Sequence, residues 1–134
     1  VSSAVESLID TNLLKSGSIV CDVARPRDVA QEVISSRNDV LVIDGGIVQV
    51  PGKVNFNFDF GFPPNTAYAC MAETMILALE ERYENYSLGS DLEIEKVITI
   101  NKLAQKHGFR LSSLRSMERE MTLQQINRVR NIVN

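Results

Sequence analysis

Apolar residues fall along this chain in three kinds of run: compact blocks, one alternating stretch, and longer segments at helical spacing. Segments 18–22 (Ser-Ile-Val-Cys-Asp) and 39–44 (Asp-Val-Leu-Val-Ile-Asp) are compact blocks closed by acids, the pattern of buried parallel strands. Between them lie Pro26 and a short helical pattern over 28–36, with Val29, Val33 and Ile34 on one side. Strand, connection and strand in this rhythm predict a βαβ-type parallel sheet. The second block breaks at Gly45-Gly46, and 47–50 continues as a short strand before Pro51-Gly52. Residues 1–4 (Val-Ser-Ser-Ala) read as the end of a strand whose beginning is missing, as in a fragment of a longer chain. The stretch 55–62 puts a Phe at every second place, at Phe56, Phe58, Phe60 and Phe62. A strand or extended loop with one aromatic face in the core is the plain reading, and an apolar wall for a ligand chain the sharper one.

Pro63-Pro64 set up a helix start capped by Asn65 or Thr66. From Ala67 to Tyr83 the residues are strong helix formers, apolar nearly all round, which predicts a central helix buried on most sides. Ser87-Leu88-Gly89-Ser90 reads as a turn, with Ser90 capping a second helix whose inner stripe is Val97, Ile100, Leu103, Ala104 and His107. Gly108 suits its C-terminal end. A last amphipathic helix covers 123–133, docked by Ile126, Val129 and Val133.

Composition narrows the function classes. The 134 residues are 44% hydrophobic and 23% charged with a net charge of −3, so no global field draws the chain to nucleic acid or acidic membrane. Residues 110–134 hold five Arg and two Glu; such a basic tail is more often a solvated helix than a partner-binding one. Two cysteines without a CxxC, and one histidine without HExxH, leave no metal pattern. No run approaches 18 apolar residues and no basic-then-apolar leader opens the sequence, so a cytoplasmic protein without stable membrane insertion is expected.

Chemistry has two candidate locations. Cys70 falls near the start of the central helix, and helix N-termini favour thiolates. Glu73 and Thr74 share its face, and the Thr hydroxyl is placed to donate to sulfur. On composition alone Cys70 is a small core residue. The other location is the carboxyl ends of the strands, where α/β sheets bind ligands: Ser2-Ser3, Asp22 and Asp44-Gly45-Gly46. Paired glycines admit a flat ring close to the backbone, and equally make a tight turn. The phosphate-gripping GxGxxG is absent. Asp22 is more often structural than a base at such a position, His107 more often supports a helix end than catalysis, and no Ser/His/Asp arrangement is evident.

The stretches Ile43-Asp44-Gly45-Gly46-Ile47-Val48, Ala69-Cys70-Met71-Ala72-Glu73-Thr74-Met75, Tyr83-Glu84-Asn85-Tyr86-Ser87-Leu88-Gly89 and Lys106-His107-Gly108-Phe109-Arg110 resemble the C-terminal part of the long-chain acyl-[acyl-carrier-protein] reductases of cyanobacteria. Related bacterial proteins are described as predicted amino-acid dehydrogenases. The resemblance runs in order over about residues 1–110. It implies an α/β fold: the C-terminal half of a Rossmann-type parallel sheet domain, followed by long packing helices. It divides the chain into 1–62 as the second half of an NAD(P)-binding domain, 63–110 as a helical pair on it, and 111–134 as a basic amphipathic tail. It implies NADPH as cofactor, with the phosphate-binding loop upstream. An acyl carrier protein or coenzyme A thioester is the implied substrate, and a fatty aldehyde the product. Cys70 matches the nucleophile that becomes the acyl-enzyme. Ser2 and Ser3 match the small-residue loop after a Rossmann strand, and Gly45 and Gly46 the glycine turn near the nicotinamide. The chain departs from that pattern at Val23-Ala24, where a glycine pair is usual, at Gln49-Val50, where Glu-His is usual, and in its tail.

Two other functions compete: a shikimate- or amino-acid-type dehydrogenase with Cys70 as plain core, and a non-enzymatic partner-binding α/β module acting through its basic tail. Alone, the fragment is expected to be inactive because nothing in it grips pyrophosphate, and apolar surface left by a missing half points to a homo-oligomer.

Overall fold

The computed structural model describes residues 8–117 and 119–133. They form a mixed α/β fold in two compact units, one of residues 46–112 and the other of the described residues before and after that span.

The first unit is built on β1 (Ile19–Asp22), α1 (Gln31–Ser36) and β2 (Leu41–Asp44). β1 and β2 pair in parallel from Ile19↔Leu41 to Asp22↔Asp44, and residues 23–40 supply the long crossover that a parallel pair requires. Val29, Val40 and Val42 form the core, with Ile9, Leu14, Val20 and Ala30 packed on it. The expected strand end at 1–4, and with it Ser2 and Ser3, lies outside the described residues, as do the side chains of Val33 and Ile34. After the excursion through the second unit, the chain returns as a hairpin of β6 (Arg115–Ser116) and β7 (Arg119–Glu120), then α4 (Leu123–Val133). Helix α4 starts with a capping box: the Gln125 amide donates to Thr122 Oγ1 at 3.2 Å, and the Thr122 amide donates to Gln125 Oε1 at 2.9 Å. It packs on β2 through buried Val129, with Ile126 half-buried and Val133 exposed.

The second unit centres on β3 (Ile47–Gln49), flanked antiparallel by β4 (Thr66–Tyr68) and β5 (Arg110–Leu111). The strand expected at 47–50 therefore exists but belongs to its own antiparallel sheet. Only Gly45-Gly46 separates it from β2, too short a link to bring a strand back parallel. Helices α2 (Ala69–Leu79) and α3 (Ile94–His107) cover this sheet. Val50, Ala67, Ala72, Ile76 and Phe109 make the core, joined by Ile100, Leu103 and Ala104 from α3.

Both helices start later than their sequence patterns indicate. Residues 66–68 are held by pairing with β3, so Thr66 caps nothing and donates to the Pro63 carbonyl at 2.5 Å. Glu81 takes a left-handed conformation (φ 54°) and ends α2 well before Tyr83. On α2 only Ala72, Ile76 and Leu77 are buried: it offers one stripe to the core rather than most of its surface. For α3 the cap is Glu93, without a side-chain bond, so Ser90 lies outside it. Gly108 closes α3 with φ 82°, as the sequence indicates. Tyr86 is buried and donates its hydroxyl to the Lys96 carbonyl at 3.2 Å, tying the connection to α3.

Candidate functional site

Cys70 is the second residue of α2. Its position follows from a strand-to-helix junction with no intervening loop, since β4 ends at Tyr68 and α2 begins at Ala69. The thiol is exposed and stands in the first helical turn, where backbone amides point outward and the dipole is positive. The plain core reading of this residue is thus overturned. The Ala69 amide donates to the Gly46 carbonyl at 2.7 Å, so Cys70 lies one residue from a backbone bond to the glycine turn. Thr74 does not serve sulfur; its hydroxyl donates to the Cys70 carbonyl at 3.2 Å. Glu73 accepts from the Ser87 hydroxyl at 2.6 Å.

The two glycines have different reasons to be glycine. A Cβ on Gly45 would sit 2.3 Å from Val23 Cγ1 and 2.8 Å from Cys21 Sγ, so close packing excludes a side chain. Gly46 has φ +72° and open space around it. The backbone of Gly46 is therefore accessible, as a ring-stacking position requires, whereas that of Gly45 is covered.

Of the strand-end acids, Asp22 is buried and fully engaged. Its carboxylate accepts from the Ala24 amide and the Val29 amide, each at 3.0 Å, shaping the chain after β1. Asp44 is buried and accepts from Arg27 Nε at 3.1 Å. Both acids hold structure. His107 lies at the end of α3 with Lys106, both paired to Glu80, the Lys106 contact at 2.6 Å. These two partners hold the Glu80 carboxyl below its usual range.

Two open clefts lie in this second unit. One, about 530 Å³, is formed by residues 54–66 and includes the four alternating phenylalanines. The other, about 640 Å³, runs along α2 from Glu73 and Thr74 to Arg82, Tyr83 and Tyr86. No sequence periodicity marks the second cleft; Glu73 and Thr74, one turn from Cys70, are its only local signal.

No model of a known protein family matches the chain. Aminotransferase PigE of Serratia sp. is 40% identical over 124 residues, which cover 89% of this chain and 14% of PigE. A long-chain acyl-[acyl-carrier-protein] reductase of Synechococcus elongatus is 27% identical over 107 residues, covering 76% of this chain and 31% of the reductase. The chain thus spans well under half the length of these relatives, both of which are enzymes by name. The resemblance read from the sequence has its counterpart in the second. Among the described residues no helix is long and apolar enough to cross a membrane.

Proposed function

We propose that the chain is a segment of an NADPH-dependent oxidoreductase that reduces an acyl thioester, carried on acyl carrier protein or coenzyme A, to an aldehyde through Cys70. The observation that carries this reading is the exposed thiol of Cys70 in the first turn of α2, one residue from the Ala69–Gly46 hydrogen bond. Similarity to the Synechococcus long-chain acyl-[acyl-carrier-protein] reductase supports the reaction class. The Cys70 thiolate attacks the thioester carbonyl carbon, the carrier thiolate leaves and takes up a proton, and an S-acyl enzyme remains. NADPH, when bound, supplies a hydride to that carbonyl. The C–S bond then breaks, aldehyde departs and Cys70 regains its thiolate.

The residues present fit the nicotinamide end of such a cofactor: Gly46 leaves open backbone where a flat ring can approach. This chain has no GxGxxG loop for the cofactor's phosphates. On this reading β1–α1–β2 is part of the second half of a Rossmann-type sheet.

The higher identity to PigE favours a second reading, a segment of an aminotransferase. That chemistry needs a lysine that forms a Schiff base, and desolvation is a common way to activate one. Here Lys15, Lys53, Lys102 and Lys106 are exposed, and Lys96 pairs with Glu93 at 3.0 Å. None of them is buried, so this segment is not where that chemistry would reside. The test is aldehyde formation by the full-length protein from a long-chain acyl thioester and NADPH. Cys70→Ser abolishes it if the reductase reading holds, and leaves it intact if Cys70 is a bystander.

A further inference from the structure

Helix α3 meets the core of its unit through Ile100, Leu103 and Ala104, yet no residue of the helix is buried. Its remaining apolar residues fall outside the part that meets the core. Ile94, Val97 and Ile98 recur at helical spacing and are 70%, 53% and 48% exposed. Leu92, on the approach to the helix, is 60% exposed and lines a small cleft together with Val97. Single exposed leucines are ordinary on a surface, whereas four branched apolar residues this close together form a patch.

The charges beside this patch have a direction. Asp91, Glu93 and Glu95 lie at the N-terminal end of α3, and Lys102, Lys106 and His107 at its C-terminal end. Glu93 is paired with Lys96 at 3.0 Å, and Lys106 with Glu80 at 2.6 Å. Glu95 and Lys102 are exposed and ion-pair with nothing among the described residues. Two helical turns separate them, about 10 Å along the axis, so they do not pair with each other. A partner of one charge sign would satisfy one end of this face only. A reversed copy of the same face satisfies both.

We propose that α3 docks antiparallel on α3 of a second copy of this chain, across a two-fold axis at Ile98. Such an interface is isologous: each contact occurs twice. With the axis at Ile98, that side chain meets its counterpart and position 94 lies opposite 102. The aliphatic stem of Lys102 then covers Ile94 of the second copy, while its ammonium reaches the neighbouring Glu95. A parallel arrangement would instead set Glu95 against Glu95 and Lys102 against Lys102. Apolar burial supplies the attraction; exposed ion pairs add little affinity and fix direction and register. The contact is small, so the dimer dissociates in the micromolar range. It does not depend on the chemistry assigned to Cys70.

Sedimentation velocity of the full-length protein over a micromolar concentration series should show a reversible dimer. Ile98→Glu should remain monomeric throughout, with its thermal midpoint little changed because the side chain is half exposed. Glu95→Lys and Lys102→Glu should each weaken association about fivefold at low salt, since symmetry doubles every lost pair. The Glu95→Lys/Lys102→Glu double variant should return to within about twofold of the natural protein, because each reversed charge again meets its opposite on the other copy. A natural protein that stays monomeric at every concentration overturns the proposal. So does a dimer that survives Ile98→Glu, which would use another surface. Charge reversals that fail to restore one another overturn the antiparallel register. If the protein is monomeric and the thiol of Ile98→Cys is shielded from iodoacetamide, another part of the same protein covers this face, and the second copy is overturned.

Discussion

The amide of Ala69 donates to the carbonyl of Gly46 at 2.7 Å, and through that bond the turn after β2 holds the start of the helix that carries Cys70. Gly46 has φ +72° and free space where a Cβ would go, so its requirement for glycine is conformational. Gly46→Ala should cost about 1–2 kcal/mol, the penalty of a left-handed L-residue, read by urea denaturation. It should also change the rate at which Cys70, but not Cys21, reacts with iodoacetamide, followed by peptide mapping. An unchanged Cys70 rate would mean that the turn does not position the thiol.

Gly45 gives the opposite signature. Gly45→Ala drives a Cβ into Val23 and Cys21, and overpacking of this kind costs about 1–3 kcal/mol. Val23→Ala in the same chain should recover part of the loss, because the closest atom, Val23 Cγ1, is then gone. Equal stability of the single and double variants would show that the clash is not the cause.

Asp22 is a structural acceptor for two backbone amides. Asp22→Ala should destabilise the first unit by roughly 1–3 kcal/mol for each amide left without an acceptor, measured as the shift in denaturation midpoint. A variant of full stability that has lost activity in the full-length protein would instead make Asp22 catalytic.

The Glu80 carboxyl, held below the usual glutamate value of 4.5 by Lys106 first and His107 second, ties α2 to the end of α3. A depressed carboxylate binds fewer protons folded than unfolded, so its contribution is complete above pH 4.5 and fades as pH falls through the lowered native value. Thermal unfolding of the natural chain and Glu80→Gln should therefore differ at pH 7 and converge in strong acid. Curves that stay parallel at every pH would contradict the pairing.

How much of this was legible from the sequence differs by element. The βαβ segment was, because 18–22 and 39–44 are compact apolar blocks with room for a crossover between them. The antiparallel sheet was not: Thr66–Tyr68 and Arg110–Leu111 are three and two residues long, and Asn-Thr-Ala-Tyr reads locally as a helix start. Pairing with a strand about twenty residues upstream overrides that local preference. The apolar residues around α2 indicate burial on most sides, yet Cys70 and Leu79 are exposed. The residues of the candidate site, Cys70 and Gly46, were identifiable singly. Their nearness depends on a hydrogen bond across 23 positions, which no local pattern carries. The phenylalanine segment was half legible. Its alternation was plain, but 55–62 pairs with no strand among the described residues, and only Phe56 of the four packs on the core. Turns at Asn55 and Asp59 fold it back.

The most direct measurement is the intact mass of the full-length protein after exposure to a long-chain acyl thioester without NADPH. A single acyl adduct is expected, absent from the Cys70→Ser variant. No adduct, in protein that still binds NADPH, would contradict it and leave Cys70 an exposed bystander.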